Sequence, residues 1–216
     1  ISAWPERYVV APKGTPQRSI CFEQPARRDS ATVFRLAFRV TTRAQYFDPE
    51  ELSKRVEPYD TLSEVYRKYT AQRPPHLGFS ERIERKAREL AGGETDPVRI
   101  VSRIYDWIDD IPWAGAIEYG VIPNIPEYVL DAGHGDCGQV SLLLIAMLRS
   151  VGIPARWESG WMLHPGHVGL HDWGSVYYEG VGWVPLDISF GKLAASADPA
   201  VRDFYKTGMD SYRLVV

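Results

Sequence analysis

Cys137 stands in Gly133-His134-Gly135-Asp136-Cys137-Gly138-Gln139, immediately ahead of a long apolar stretch. A thiol attacks a carbonyl carbon as its thiolate, and the unpaired N–H groups in the first turn of a helix stabilise that anion. The same N–H groups, Cys137's own among them, can hold the oxyanion that forms on an attacked carbonyl. The glycines on either side permit sharp turns and a close approach by a substrate. A lone cysteine is more often a small buried hydrophobe than a nucleophile, so its partners must decide. A thiolate needs a base, and the chain has five histidines: His76, His134, His164, His167 and His171. His76 lies in a Pro-rich break and His134 in the cysteine's own loop, while His164 and His167 fall in Leu163-His164-Pro165-Gly166-His167, which reads as a mobile loop. His171 opens a strand, and a strand is a rigid platform for a base.

Asp187 ends the next strand and can fix the imidazole's tautomer and support its charged form. Register decides whether it reaches. A two-residue loop at Gly180-Val181 sets Asp187 opposite Gly174 and turns it from His171's face, because side chains alternate along a strand. A three-residue loop sets Asp187 opposite Trp173, diagonal to His171 and within side-chain reach. Asp172 is the competing acid, expected to leave the opposite face of the strand from His171. Cys21, in a strand run without partners, is expected in the core. One cysteine with scattered histidines matches zinc spacing poorly, so neither a metal nor a cofactor is expected. Trp157, Trp161, Trp173 and Trp183 are candidates to line a substrate groove, beside the plainer reading that they pack the sheet.

The elements that must position these residues are legible around them. Val140, Leu143, Leu144, Met147, Leu148 and Val151 recur at helical spacing, and Leu142, Ile145 and Ala146 fill the other sides. A helix apolar nearly all round belongs inside a domain. Gly152 and Pro154 stop it. Strands are expected over 154–163, 171–178 and 183–188. Further back, Ser80 caps a helix running to Leu90, and Asp96-Pro97 opens another that ends at Ile111-Pro112. The first 45 residues read as short strands, with short helices after them, and Arg73-Pro74-Pro75-His76 is the candidate boundary. The expected organisation is therefore a β-rich extension over 1–75 and a core over 76–216, in an α+β chain.

Length and composition narrow the classes. At 216 residues, with 44% apolar and 25% charged residues, the chain suits one good core plus an extension. A net charge of -3 gives no basic stripe, which argues against nucleic acid as a partner. No apolar run reaches the ~20 residues of a membrane span. The start at Ile1 without a methionine and the ending Leu214-Val215-Val216 suggest a piece of a longer protein.

Gly135-Asp136-Cys137, the helix 142–149, Gly152-Ile153-Pro154-Ala155-Arg156, His171-Asp172-Trp173 and Gly182-Trp183 through Asp187 together resemble the transglutaminase-like superfamily of papain-fold enzymes. The resemblance covers roughly residues 95–190. It implies a cysteine helix packed on an antiparallel sheet that carries the His and the Asp, and a catalytic triad at Cys137, His171 and Asp187. It also implies acyl transfer through a thioester on a peptide, protein or amide substrate. Hydrolysis is favoured here over the amine transfer of cross-linking transglutaminases; a non-catalytic scaffold on the same fold is the alternative. Family members often place an aromatic oxyanion donor upstream of the Cys, for which Trp113 and Tyr119 are candidates, with Trp173 as a further substrate contact. No calcium loop is legible. The motif series is most similar to exported bacterial members, implying an extracytoplasmic site.

Overall fold

Helix starts in this chain are written in short polar side chains that accept from exposed backbone N–H groups. In the computed structural model, which describes residues 2–15, 19–115, 117–189 and 198–216, those signals fall at the ends of real elements. Asp48 caps α1 (Pro49–Ser53) and Ser63 caps α2 (Glu64–Thr70). Ser80 Oγ accepts from the Ile83 N–H at the head of α3 (Glu81–Ala91), and Asp96 accepts from Val98 at the head of α4 (Pro97–Asp109), with Pro97 at the first helical position. Helix α5 (Ile125–Ala132) ends on Gly133 at φ 67°, a left-handed cap that favours glycine. Helix α6 runs Cys137–Ser150 and α7 runs Pro199–Phe204.

The residues up to Thr42, together with Val216, form one compact unit and residues 43–215 another. In the first, β1 (Ser2–Trp4) pairs antiparallel with β4 (Arg35–Ala37), and β2 (Tyr8–Val10) with β3 (Ile20–Phe22). None of its described residues is buried. Cys21 is exposed on β3, which corrects its expected place in a core: a three-residue strand in a two-stranded ladder leaves nothing to cover it. Both cysteines are free thiols.

The second unit holds the hydrophobic core, and residues 43–75 with α1 and α2 belong to it. Its main sheet has four antiparallel strands in the order β10-β6-β7-β8: Arg213–Val215, Ala155–His164, His167–Tyr178 and Gly182–Leu186. A short ladder joins β5 (Gln45–Tyr46) to β9 (Gly208–Met209). Helix α6 packs on β6 and β7 with one side and on α3, α4 and α5 with others, so Leu143, Ile145, Met147 and Leu148 are all buried. Each fully buried side chain of this size contributes about 1.5–3 kcal/mol, which makes α6 the fixed axis of the fold. Mixed helix and sheet in this arrangement is the α+β architecture read from the sequence. The stretch read as a loop at 163–167 is instead a two-residue hairpin: His164 pairs with His167, and Gly166 at φ 81° makes the turn. Among the described residues no helix is long and apolar enough to cross a membrane.

Candidate active site

Cys137 is the first residue of α6, held there by a capping box. Asp136 Oδ1 accepts from the Gln139 N–H at 2.9 Å, and Gln139 Oε1 accepts from the Asp136 N–H at 3.2 Å. The sulfur therefore sits where the helix end carries a partial positive charge. The loop before it is tied to the Trp113 segment, since Gly135 N–H donates to the Pro112 carbonyl and Ala114 N–H to that of Gly135. Cys137 is partly buried, so it is anchored by its helix and still reachable.

His171 lies on β7 opposite Gly160 of β6 and is 5% exposed. The β7–β8 connection has the three-residue form: Tyr178 pairs with Gly182, so Asp187 falls one step past the Gly174–Leu186 pair, level with Trp173. Gly180 at φ 78° and Gly182 at φ 101° supply the backbone shapes this turn requires. Asp187, fully buried, accepts at Oδ2 from His171 Nε2 at 2.8 Å. Its Oδ1 accepts from the N–H and hydroxyl of Ser189 at 3.1 and 3.2 Å. The backbone is clamped too: the Tyr105 hydroxyl donates to the Asp187 carbonyl and the Asp187 N–H to that of Tyr205.

Burial by itself lowers the His171 pKa, but the charge and hydrogen bond of Asp187, joined by Cys137, more than reverse this and push it up to about 10. The imidazole is thus set to hold a proton at neutral pH, with one nitrogen on the carboxylate and the thiol as its other hydrogen-bonding neighbour. A thiol, an imidazole and a buried carboxylate in this sequence can move the thiol proton onto the ring and keep the resulting charge pair.

Two further residues join the site without a sequence signal strong enough to select them. Arg213, from β10 at the far end of the chain, places its guanidinium 3.3 Å from Asp187 Oδ2 and 3.1 Å from Asp210, and is itself buried. A lone arginine in an apolar strand ending was the only hint. Asp172 does leave the opposite face from His171, but that face is the one α6 packs on. Gly174, two residues along, lies against Ile145 of the helix, and Asp172 accordingly meets the thiol, with Oδ2 3.7 Å from Cys137 Sγ. Alternation was read correctly; which face the cysteine meets was not legible from it.

The aromatic candidates divide. Tyr119 lies beside the first turn of α6, near enough that a Cβ on Gly138 would strike its hydroxyl, and that hydroxyl donates to Asp136 Oδ1. Its single proton is committed to the cap, which leaves it a support for the Cys137 turn and not a free oxyanion donor. Trp113 is 52% exposed on the segment paired with Gly135. Trp173 is buried, donating Nε1 to Glu158 at 2.9 Å and packing with Tyr205 and Met209, so it lies beneath the site and lines no groove. Trp183 stacks edge-on with Tyr69 and Tyr177, whereas Trp157 and Trp161 are about two-fifths exposed on β6. Among the described residues no three of His, Cys, Asp and Glu are grouped so as to hold a metal ion.

Comparison with known proteins bears on the fold. Residues 84–188 match the family model of the transglutaminase-like superfamily. The Bacillus subtilis (strain 168) protein YebA, itself uncharacterised, is 23% identical over 130 residues, 51% of this chain and 18% of its own length. A candidate cysteine protease from Cytophaga hutchinsonii superposes with a TM-score of 0.52 at 20% identity, over 62% of this chain and 45% of its own. The periplasmic domain of TgpA from Pseudomonas aeruginosa gives 0.47 at 19% identity, over 65% and 52%. The chain thus spans less than a fifth of YebA and less than half of the Cytophaga protein. The matching segment, residues 84–188, carries the Cys helix and the strands β6 to β8 of its antiparallel sheet, so this chain contains a transglutaminase-like core.

Proposed function

We propose that this chain is a cysteine-nucleophile acyl-transfer enzyme acting on peptide or related amide bonds, with hydrolysis as its main outcome. The observation that carries the reading is the buried Asp187–His171 pair, bonded at 2.8 Å, with Cys137 as the imidazole's other neighbour. In this scheme the Cys137 proton passes to His171 and the thiolate attacks the amide carbonyl carbon. First-turn N–H groups of α6 stabilise the oxyanion. The tetrahedral adduct collapses, the C–N bond breaks, and the departing amine takes the proton from His171. Water then loses a proton to His171 as it attacks the thioester; the acid is released and the sulfur recovers its proton. Asp187 keeps the ring oriented and supports its charge throughout.

Alkylation with iodoacetamide near pH 6 tests the nucleophile. Cys137 is expected to react at least about tenfold faster than the exposed Cys21, because only a stabilised thiolate persists at that pH. Equal, slow labelling of both would remove the enzymatic reading. Incubation with a glutamine-containing protein and a fluorescent amine then separates the outcomes: new termini or ammonia without amine uptake supports hydrolysis. An extracytoplasmic location is part of the proposal, supported by the likeness of the motif series to exported bacterial members and tested by fractionating the producing cells.

A further inference from the structure

Asp172 has no step in the scheme above, yet it is fixed beside the nucleophile. Its Oδ2 is 3.7 Å from Cys137 Sγ, and a Cβ on Gly138 would stand only 2.6 Å from the same oxygen. Glycine at the second position of α6 is what lets the carboxyl lie against the helix's first turn. Ser159, directly across on β6, hydrogen-bonds it from the other side. Its strongest neighbours are Ser159, His171, Asp136 and Cys137; the His171 charge favours the carboxylate, and neither a lysine nor an arginine is among them. Both Asp172 and Cys137 retain solvent exposure, so the space next to them is open to an arriving molecule.

A carboxylate at this distance opposes thiolate formation, since like charges raise one another's cost in a partly desolvated place. Burial, with the Asp136 charge added, already pushes the Asp172 carboxyl above its ordinary range. A cation docked against the carboxylate offsets that cost and favours the thiolate at the same moment. An ammonium suits the place, with three donors for carboxylate oxygens and a compact charge. Two residues along the same face, Trp161 of β6 and Leu170 of β7 form a cross-strand pair that is 41% and 73% exposed, an apolar surface for the rest of such a molecule.

We propose that Asp172 makes this site selective for an acyl donor bearing a primary ammonium group next to the bond broken. The proposal rests on the cysteine-nucleophile reading and narrows its substrate class. The ammonium is the acyl donor's free N-terminus; an amine acceptor sheds its proton before it attacks and so does not keep this charge pair.

The test uses the whole chain with Cys21→Ser and three methanethiosulfonate reagents: 2-aminoethyl (cationic), methyl (neutral) and 2-sulfonatoethyl (anionic). In each case the Cys137 thiolate attacks the reagent's sulfenyl sulfur, a mixed disulfide forms and methanesulfinate leaves. After normalisation to a small free thiol at the same pH, the cationic reagent is expected to react about tenfold faster than the neutral one, and the anionic one slower. In Asp172→Asn and Asp172→Ser that ratio is expected to fall to about two or below. A flat ratio in the parent protein, with fast neutral labelling, overturns the proposal and leaves the nucleophile standing, as does a preference that survives both variants. Slow labelling by all three reagents overturns the nucleophile itself. Protection against the neutral reagent tests the acyl-donor assignment. Protection by glycylglycine amide, but not by its N-acetyl form or by ethylamine, assigns the ammonium to the acyl donor. Equal protection by ethylamine, or protection by neither, overturns the proposal.

Discussion

At the scale of single residues, the site is a contest between burial and charge, and His171 shows which wins. A 5% exposed imidazole would ordinarily shed its proton, but a fully buried carboxylate at 2.8 Å holds it, and the pKa rises from 6.5 to about 10. A raised pKa in the folded state adds stability in full below the unfolded value near 6.5, and that contribution is lost as the pH climbs towards 10. His171→Gln removes the titrating group. The stability gap between the parent and this variant is therefore expected to be widest near pH 6 and to shrink towards pH 10, read as urea midpoints across that range. A gap independent of pH would mean the pair does not hold a proton. Arg213 tempers the arrangement by sharing Asp187 Oδ2, so the fully buried carboxylate is paired from two sides.

Elements decide how finely those residues are held. The cap at Asp136 serves two purposes: it closes the first turn of α6 with Gln139 and receives the Tyr119 hydroxyl. Asp136→Ala is expected to cost about 1–2 kcal/mol of stability, the usual worth of a lost N-cap, and to slow Cys137 alkylation as the turn frays. Thermal melts and iodoacetamide rates measure the two effects together. On the sheet, Gly160 sits opposite His171, and a Cβ there would run into the backbone carbonyl of Leu214. The absence of a side chain is what lets β10 close on β6 and deliver Arg213 to Asp187. Gly160→Ala is expected to push β10 off, costing about 1–3 kcal/mol by overpacking. Its signature is a shift in the pH dependence of Cys137 labelling, because His171 then faces a carboxylate lacking its second partner. Labelling with an unchanged pH profile would show that Arg213 has no influence on the pair.

For the molecule as a whole, the two units differ sharply in how much they bury. The second carries the core around α6, while the first has two ladders of three-residue strands and no buried residue among those described. Short two-stranded ladders are marginal in water, so local opening is cheap there. Limited proteolysis is expected to cut first within residues 2–42 and to leave a resistant fragment beginning near Arg43, detectable by mass spectrometry. Initial cleavage inside 76–189 would contradict this ordering.

Residue type and local spacing were enough to locate α6, to stop it at Gly152, to place the later strands within a few residues, and to select Cys137, His171 and Asp187 for attention. Those signals are local: a cap, an apolar period, a glycine turn. They left open a choice that depends on one residue of loop length, and the three-residue turn at 179–181 chose the register that brings Asp187 to His171. Cys21 went astray because strand propensity says nothing about whether anything covers the strand, and Trp173 because an aromatic's wall is set by what packs on it. Arg213 lay outside the reach of pattern altogether, and for Asp172 pattern gave the face of its strand but not its meeting with the thiol. One arrives from 26 residues beyond its partner across the sheet, the other from 35 residues beyond the thiol. Only the packing of α6 on one face of β7, and of β10 along β6, determines which side chains meet, since burial and charge pairing act through space and not along the chain.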